Sequence, residues 1–221
     1  MIASGVVHVP RPAKSGWTVD MVVVHDAQGA RGALVYSPVL HGDRTRELAG
    51  TPRVLVAPNH YHHVALPRYR ELYPDAAVVT SDGARPRLAK KGHTNVRALG
   101  DVELPEGVRL LAAEGVKNGE TWMVVERDEK VLAVADAFFN VDAACTGFEG
   151  FMLRRLRTVG GLRLGRTFQW VGIGDKSAYR KWAIDTLTRE KPTVIAFAHG
   201  APLRGGDAWK QCVELVEMYV K

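Results

Sequence analysis

The feature that most constrains the fold is a set of three apolar runs that share one composition. They lie at residues 53–57, 130–135 and 193–198, and each consists mainly of Val, Leu, Ile, Ala or Phe. A run of this length without alternating polar positions predicts a strand that is buried on both faces. Such a strand needs cover on each side, so we expect sheets packed between other layers.

The remaining predicted elements come in blocks along the chain. Gly29 lies between two β-branched runs and indicates a hairpin, and the polar turn at residues 127–130 indicates a second one. Predicted strands lie at residues 20–25, 32–36, 53–57, 76–80, 96–99, 108–113, 121–126, 130–135 and 193–198. Predicted helices lie at residues 44–48, 67–73, part of 82–93, 175–190 and 207–220. Runs of strands bounded by helices predict an α/β (α+β) fold with sheets sandwiched between helices. Since there is no repeat or linker, we expect one domain over residues 1–221, with a basic insertion around residues 147–168.

Composition narrows the classes of function. The chain has 30 Lys and Arg against 24 Asp and Glu, a net charge of +6 that favours anionic partners only weakly. Cys145 and Cys212 are far apart and predict neither a disulfide framework nor a Cys-x-x-Cys metal site. A reducing compartment is therefore expected. The first residues lack the pattern of a signal peptide, and no apolar run is long enough to cross a membrane, so we expect a cytoplasmic protein with no membrane partner.

Residues of the metal-ligand type follow all three apolar runs. The first run is followed by His60, His62 and His63, the second by Asp136 and the third by His199. Loops at strand ends are where rigid scaffolds hold ligands and catalytic groups. Imidazole nitrogens with one carboxylate suit zinc, iron or manganese. Each residue alone also has an ordinary structural explanation in a turn or a cap, so only the recurrence at three strand ends indicates a metal site.

The order of these elements resembles the metallo-β-lactamase superfamily of hydrolases. The segments that carry the resemblance are "PNHYHH" at 58–63, "VLAVADAFFN" at 131–140 and "VIAFAHGAP" at 194–202. The match covers nearly the whole chain and implies a four-layer αββα sandwich. In that family a His-x-His-x-Asp-His loop, a mid-chain His, an Asp and a final His build two adjacent metal sites. Because these motifs are degenerate here, the chain looks more like a poorly characterised branch than like the lactamases themselves.

Matched residue by residue, one of the two family sites is largely missing. Its first histidine falls on Pro58 and its mid-chain histidine on Val116, so only His60 remains. The other site falls on His62, His63, Asp136 and His199, all of which can ligate a metal ion. His62 stands where the family has Asp. The resemblance therefore implies one divalent metal ion, with zinc preferred and iron or manganese as alternatives.

These observations predict a metal-dependent hydrolase in which water on a single metal ion attacks an ester, lactone, thioester or phosphodiester. His60, freed from the missing site, is the candidate general base. One alternative is a non-catalytic binding protein of the same fold with a degenerate metal site, and a further one is a redox role for iron. The expected partner is a small molecule, anionic if the arginines of residues 152–166 line the site, although such a run also suits a solvated surface. Nucleic acid is not expected, because the aromatic residues are not interleaved with basic ones.

Overall fold

The structure is a computed structural model that describes residues 1–13, 16–26, 32–142, 145–156 and 158–221. A six-stranded sheet forms its N-terminal half. Its strands, which lie in sequence order, are β1 (Val6–Val9), β2 (Met21–His25), β3 (Gly32–Tyr36), β4 (Val54–Val56), β5 (Ala77–Thr80) and β6 (Arg97–Ala98). β1, β2 and β3 pair antiparallel, and β3 to β6 pair parallel. The carboxyl ends of β3, β4 and β5 therefore meet at one edge of this sheet.

A second sheet forms most of the C-terminal half. Along the chain the strands of this half are β7 (Val108–Ala112), β8 (Thr121–Glu126), β9 (Lys130–Val134), β10 (Phe139–Val141), β11 (Gly161–Arg163), β12 (Val194–Phe197) and β13 (Leu203–Arg204). The sheet has the order β13-β12-β9-β8-β7, while β10 and β11 form a separate antiparallel pair. β9 and β12 are parallel neighbours, so the residues that follow these two strands come close together.

Helices cover the outer face of each sheet. The helices of the chain are α1 (Thr45–Ala49), α2 (Leu66–Leu72), α3 (Arg85–Lys90), α4 (Gly147–Arg155), α5 (Lys176–Glu190) and α6 (Ala208–Tyr219), and α4 packs beside β10 rather than on a sheet face. The inner faces of the two sheets share one apolar core. Buried residues of α1, α2 and α3 pack on the first sheet, and those of α5 and α6 pack on the second. This arrangement is the four-layer αββα sandwich, and the predicted fold class is confirmed.

Local predictions hold best where the side-chain signals are strong. α5 begins after Asp175, whose carboxylate accepts a hydrogen bond from the Ala178 amide at 3.0 Å, as an N-cap does. The predicted strand at 96–99 is shorter, because a 3₁₀ turn takes over at Leu99–Asp101. β2 and β3 pair antiparallel as the hairpin prediction requires, although its turn, with Gly29, lies outside the described residues.

The basic insertion predicted at 147–168 contains α4 and β11, and residue 157 within it is not among the described residues. A π-helical turn follows at Phe168–Gly172 and leads toward α5. In the described part of the chain, none of the helices combines the length and the apolar character that a membrane crossing needs.

Candidate metal centre

Three ligand-type side chains meet at the ends of strands from both sheets. His62 lies in the loop after β4, Asp136 follows β9 and His199 follows β12. Asp136 Oδ1 lies 3.2 Å from His62 Nε2 and 3.3 Å from His199 Nε2. Donor atoms about 2.1 Å from a tetrahedral ion are roughly 3.4 Å apart, so this spacing suits one shared metal ion. We call His62, Asp136 and His199 the carboxylate cluster.

The hydrogen bonding of His199 directs its Nε2 toward the Asp136 carboxylate. Its Nδ1 lies 2.9 Å from the carbonyl oxygen of Thr18, and a carbonyl oxygen only accepts, so Nδ1 carries a proton. In the neutral ring Nε2 then presents a lone pair to the Asp136 carboxylate. Two lone pairs repel at this distance, and either a proton on Nε2 or a cation between the two atoms removes the repulsion. A divalent ion does so while keeping the imidazole neutral, as metal-bound histidines are.

His62 is held at its other nitrogen by a strained serine. Ser37 Oγ lies 2.9 Å from His62 Nδ1, and Ser37 is buried directly after β3. The backbone of Ser37 has a φ of +55°, which is uncommon for a residue other than glycine and concentrates at functional sites. The serine amide donates to Val56 at the end of β4, so the two parallel strands fix this contact.

Two aromatic rings, which are also close to each other, pack beside His199. The centroid of its imidazole lies 4.7 Å from that of Trp17 and 5.3 Å from that of Phe139, with stacked interplanar angles of 28° and 18°. Gly200 follows with a φ of +108°, and a Cβ there would collide with the carbonyl oxygen of Asn140. The chain therefore needs glycine at 200 to bring His199 against β10.

Asn59 connects the histidine loop to Asp136. Its side-chain amide donates to Asp136 Oδ2 at 2.8 Å and to Glu120 Oε2 at 2.9 Å. Its oxygen accepts from the backbone amides of Tyr61 at 2.8 Å and His62 at 3.3 Å. One side chain thus fixes both the loop that carries His62 and the carboxylate that His62 faces. Sequence reasoning missed Asn59, although it lies inside the quoted "PNHYHH" segment.

The side chain of Glu120 stabilises the turn that carries Asp136. This fully buried carboxylate accepts hydrogen bonds from the backbone amides of Ala135 at 3.1 Å and Ala137 at 3.2 Å, on either side of Asp136. Burial and the neighbouring charge of Asp136 raise the pKa of Glu120 to about 7. Burial also acts to raise the pKa of Asp136, but positive charge at the two facing histidines, His62 first and then His199, outweighs it and holds that pKa well below its usual range. Asp136 is therefore ionised, as a metal ligand must be.

The structure does not bring His63 to the carboxylate cluster. Lys91 Nζ donates to His63 Nε2 at 2.9 Å, and His63 Nδ1 then donates to His93 Nε2 at 3.1 Å. The turn at 61–63 directs adjacent side chains to opposite sides, so His62 and His63 do not face the same point. Ligation by His63 stays a prediction, and these contacts do not support it.

His60 lies on the same side as His63. Its Nδ1 donates to the carbonyl oxygen of Asn118 at 2.9 Å, and its Nε2 accepts from Arg87 Nη1 at 3.0 Å. Burial and the positive charges of Arg87 and Lys91 lower its pKa, against the bond to Asn118, which raises it. Because both ring nitrogens have partners, a general-base role stays a prediction that requires loss of the Arg87 bond. We call His60, His63, Arg87, Lys91 and His93 the cationic cluster.

Two cavities adjoin the carboxylate cluster and share Tyr61, Asp136 and His199. One has a volume of about 280 Å³ and is walled mainly by aromatic rings and leucines. The other has a volume of about 380 Å³ and is walled mainly by aliphatic side chains, with Arg11 at its lining. We call them the aromatic pocket and the aliphatic pocket. Among the described residues of the basic insertion, Leu153 and Leu156 line the aromatic pocket and no arginine does.

Comparison with known proteins identifies the fold. No protein-family model and no curated protein sequence matches the chain. Among solved structures, rubredoxin oxygen:oxidoreductase from Desulfovibrio gigas matches with a TM-score of 0.68 at 17% identity, over 98% of this chain and 61% of that one. A metallo-β-lactamase from Pontibacter korlensis matches with a TM-score of 0.65 at 13% identity, over 98% and 97%. An archaeal metallo-β-lactamase superfamily protein from Sulfolobus tokodaii matches with a TM-score of 0.59 at 15% identity, over 95% and 85%.

The chain therefore has the metallo-β-lactamase fold. It spans less than two thirds of the Desulfovibrio oxidoreductase, which it covers to 61%. The matched proteins carry names of both hydrolases and oxidoreductases. Because one fold hosts many reactions, the function of this chain has to be argued from its own site.

Proposed function

We propose that this chain, which has the metallo-β-lactamase fold, is a metal-dependent hydrolase of a small molecule and uses one divalent metal ion. The observation that carries the proposal is the carboxylate cluster, in which two imidazole Nε2 atoms face one oxygen of Asp136 at 3.2 and 3.3 Å. His199 contributes most to the argument, since its Nδ1 is committed to the Thr18 carbonyl and its Nε2 lone pair faces a carboxylate. Ester, lactone, thioester and phosphodiester bonds are the candidate substrates.

Three protein ligands suit a catalytic site. A divalent ion held there supplies a lowered pKa for a coordinated water and polarises a carbonyl or phosphoryl oxygen. In the overall reaction water gives its OH to the acyl or phosphoryl group and its remaining proton to the leaving oxygen or sulfur. The residues of this chain hold the donor atoms in place: Ser37 fixes the ring of His62 through Nδ1, and Asn59 fixes Asp136 through Oδ2. Tyr61 and the aromatic rings beside His199 supply an apolar wall next to the donor atoms.

The contacts of the cationic cluster support one ion rather than two. Pro58 offers no donor side chain, and His60 Nε2 already accepts a hydrogen bond from Arg87 at 3.0 Å. Two histidines and one carboxylate form the donor set of several zinc hydrolases and also of non-haem iron(II) sites. Zinc is therefore proposed first, with iron and manganese as alternatives.

The proposal is tested by purifying the protein without added metal, measuring its metal content and assaying p-nitrophenyl acetate, a γ-lactone, a thioester and bis-p-nitrophenyl phosphate. We expect hydrolysis of at least one probe, loss of that activity with a chelator and its return with one equivalent of zinc. Protein that holds one metal ion and cleaves none of the four would contradict the hydrolase and favour the non-catalytic binding protein. A coloured, iron-containing protein that reduces oxygen would favour the redox alternative.

A further inference from the structure

We propose that the substrate is an uncharged carbonyl compound with an apolar group on each side of the bond that is cleaved. This inference rests on the proposed function and names its substrate class. The two pockets carry it, because both contain Asp136 and His199 in their walls. A carbonyl group placed at the carboxylate cluster can therefore extend one arm into each pocket.

The aromatic pocket offers apolar surface without a counter-charge for an anion. Its walls include Trp17, Phe139, Phe168, Leu153 and Leu156, and its described lining residues include no lysine or arginine. Away from the carboxylate cluster, its described lining residues include no charged side chain. A cavity of about 150 Å³ holds a benzene ring, so about 280 Å³ admits one ring or a short acyl chain.

The aliphatic pocket shares Tyr61 with the aromatic pocket. Its walls include Val39, Leu40, Val64 and Ala65, and Arg11 is the only cationic side chain among the described residues that line it. Arg11 is exposed at the surface, so most of this pocket also favours apolar groups. The pocket volume of about 380 Å³ admits a slightly larger arm than the aromatic pocket.

Among the described residues, the arginines of the basic insertion do not supply the missing charge. Arg154 donates to the carbonyl oxygen of Cys145 at 2.6 Å, and Arg163 donates to that of Leu162 at 3.1 Å. Neither lines the aromatic or the aliphatic pocket. Burying a carboxylate or phosphate against these walls would leave it unpaired, which is costly. These contacts support an uncharged substrate, whereas the sequence favoured an anionic one only if the arginines line the site.

The first test compares p-nitrophenyl acetate, butyrate and hexanoate with a p-nitrophenyl ester whose acyl chain ends in a carboxylate. We expect kcat/KM to rise roughly threefold to fourfold for each added methylene until the pocket is full. The carboxylate-bearing ester should be at least tenfold worse than the uncharged ester of equal length. Equal rates along the series, or a preference for the anionic ester, would overturn the inference.

The second test places a charge in each pocket at an exposed position, which limits effects on folding. Val171 is 51% exposed and lines the aromatic pocket, and Val64 is 81% exposed and lines the aliphatic pocket. Val171→Lys and Val64→Lys should each lower kcat/KM for the hexanoate at least fivefold. Met218→Lys, at a 56% exposed position on α6, is the matched control and should change it less than twofold. A lower kcat/KM in only one of the two variants would overturn the inference that the substrate places an arm in each pocket.

A binding measurement separates this inference from the proposed function. Hexanophenone and acetophenone are uncharged carbonyl compounds that cannot be hydrolysed, and calorimetry gives their Kd values on the metal-loaded protein. We expect hexanophenone to bind at least tenfold more tightly, and Val171→Lys or Val64→Lys to reduce that preference. Tight binding of hexanophenone without any ester hydrolysis would support the assignment of the two pockets and contradict the proposed hydrolase. Ester hydrolysis combined with equal Kd values for the two ketones would support the proposed hydrolase and overturn the proposed substrate class.

Discussion

The two histidine clusters on either side of the loop at 58–63 differ in the charge that surrounds them. In the carboxylate cluster, Asp136 faces the Nε2 atoms of two histidines. In the cationic cluster, the Nε2 atoms of two histidines accept hydrogen bonds from Arg87 and Lys91. The same side-chain type thus meets an anion on one side and cations on the other. A count of histidines does not define a metal site, because the neighbouring charge decides whether a cation can enter.

The difference extends to protonation. Burial and nearby positive charges lower the pKa of His60, His63 and His93. The lone pairs of these histidines accept hydrogen bonds from an arginine, a lysine and another histidine of the cationic cluster. The carboxylate cluster instead has its Nδ1 atoms engaged by Ser37 and Thr18, which leaves Nε2 for a metal ion.

Asp136→Asn should have the largest effect, because it removes the one negative charge from the carboxylate cluster while keeping its shape. We expect metal affinity and hydrolysis to fall at least a hundredfold, measured by metal titration and steady-state kinetics. Asp82→Asn is the matched control, since the Asp82 side chain is 78% exposed and pairs with Arg85. Retention of metal by Asp136→Asn would show that the charge of Asp136 does not separate the two clusters.

Asn59→Ala should have the next largest effect. Its loss releases both Asp136 Oδ2 and the backbone of the histidine loop, and such outer contacts are worth about 10- to 100-fold in metal affinity. The zinc Kd should weaken by this factor, and thermal unfolding of the metal-free protein measures any structural effect separately. Asn95→Ala, on the exposed surface, should change neither quantity. An unchanged zinc Kd would show that Asn59 does not position the carboxylate cluster.

Arg87→Met tests whether positive charge alone prevents the cationic cluster from binding a metal ion. The variant removes the hydrogen bond to His60 Nε2, which should lower the free energy of unfolding by about 1 kcal/mol. Metal content should stay at one equivalent, because Pro58 still supplies no ligand. A second bound equivalent would mean that Arg87 alone distinguishes the two clusters.

His93→Asn should have the smallest effect, and only at acidic pH. Burial, with the charges of Arg70 and Lys91, lowers the pKa of His93 in the folded state. The unfolded chain then binds protons more readily below about pH 6.5, so stability is full above this pH and is lost as pH falls. Urea unfolding at pH 7.5 and 5.5 should show a smaller loss in His93→Asn than in wild type, by no more than about 1 kcal/mol. Equal losses would show that His93 does not resist protonation.

The fold was predictable because its signals are local. Apolar runs such as residues 53–57 cannot face water on either side, so two covered sheets follow from them. Asp136 and His199 were found for the same reason, since each directly follows a buried strand. The choice between His62 and His63 was not predictable, because one turn decides which of two adjacent rings faces Asp136.

The supporting contacts could not be predicted because they join distant parts of the chain. Glu120 reaches Asn59 across 61 positions, and Thr18 meets His199 across 181. Nothing in the local pattern around Glu120 or Thr18 distinguishes them from other polar residues. Likewise, the bond between His60 and Arg87 depends on how α3 packs beside the loop.

Metal content tests the central claim most directly, by elemental analysis of wild type, His199→Ala and His63→Ala purified in parallel without added metal. The two substitutions remove the same type of side chain, one from each cluster. We predict one equivalent in wild type, almost none in His199→Ala and one in His63→Ala. Loss of metal from His63→Ala, or its retention by His199→Ala, would contradict the assignment of the site to His62, Asp136 and His199.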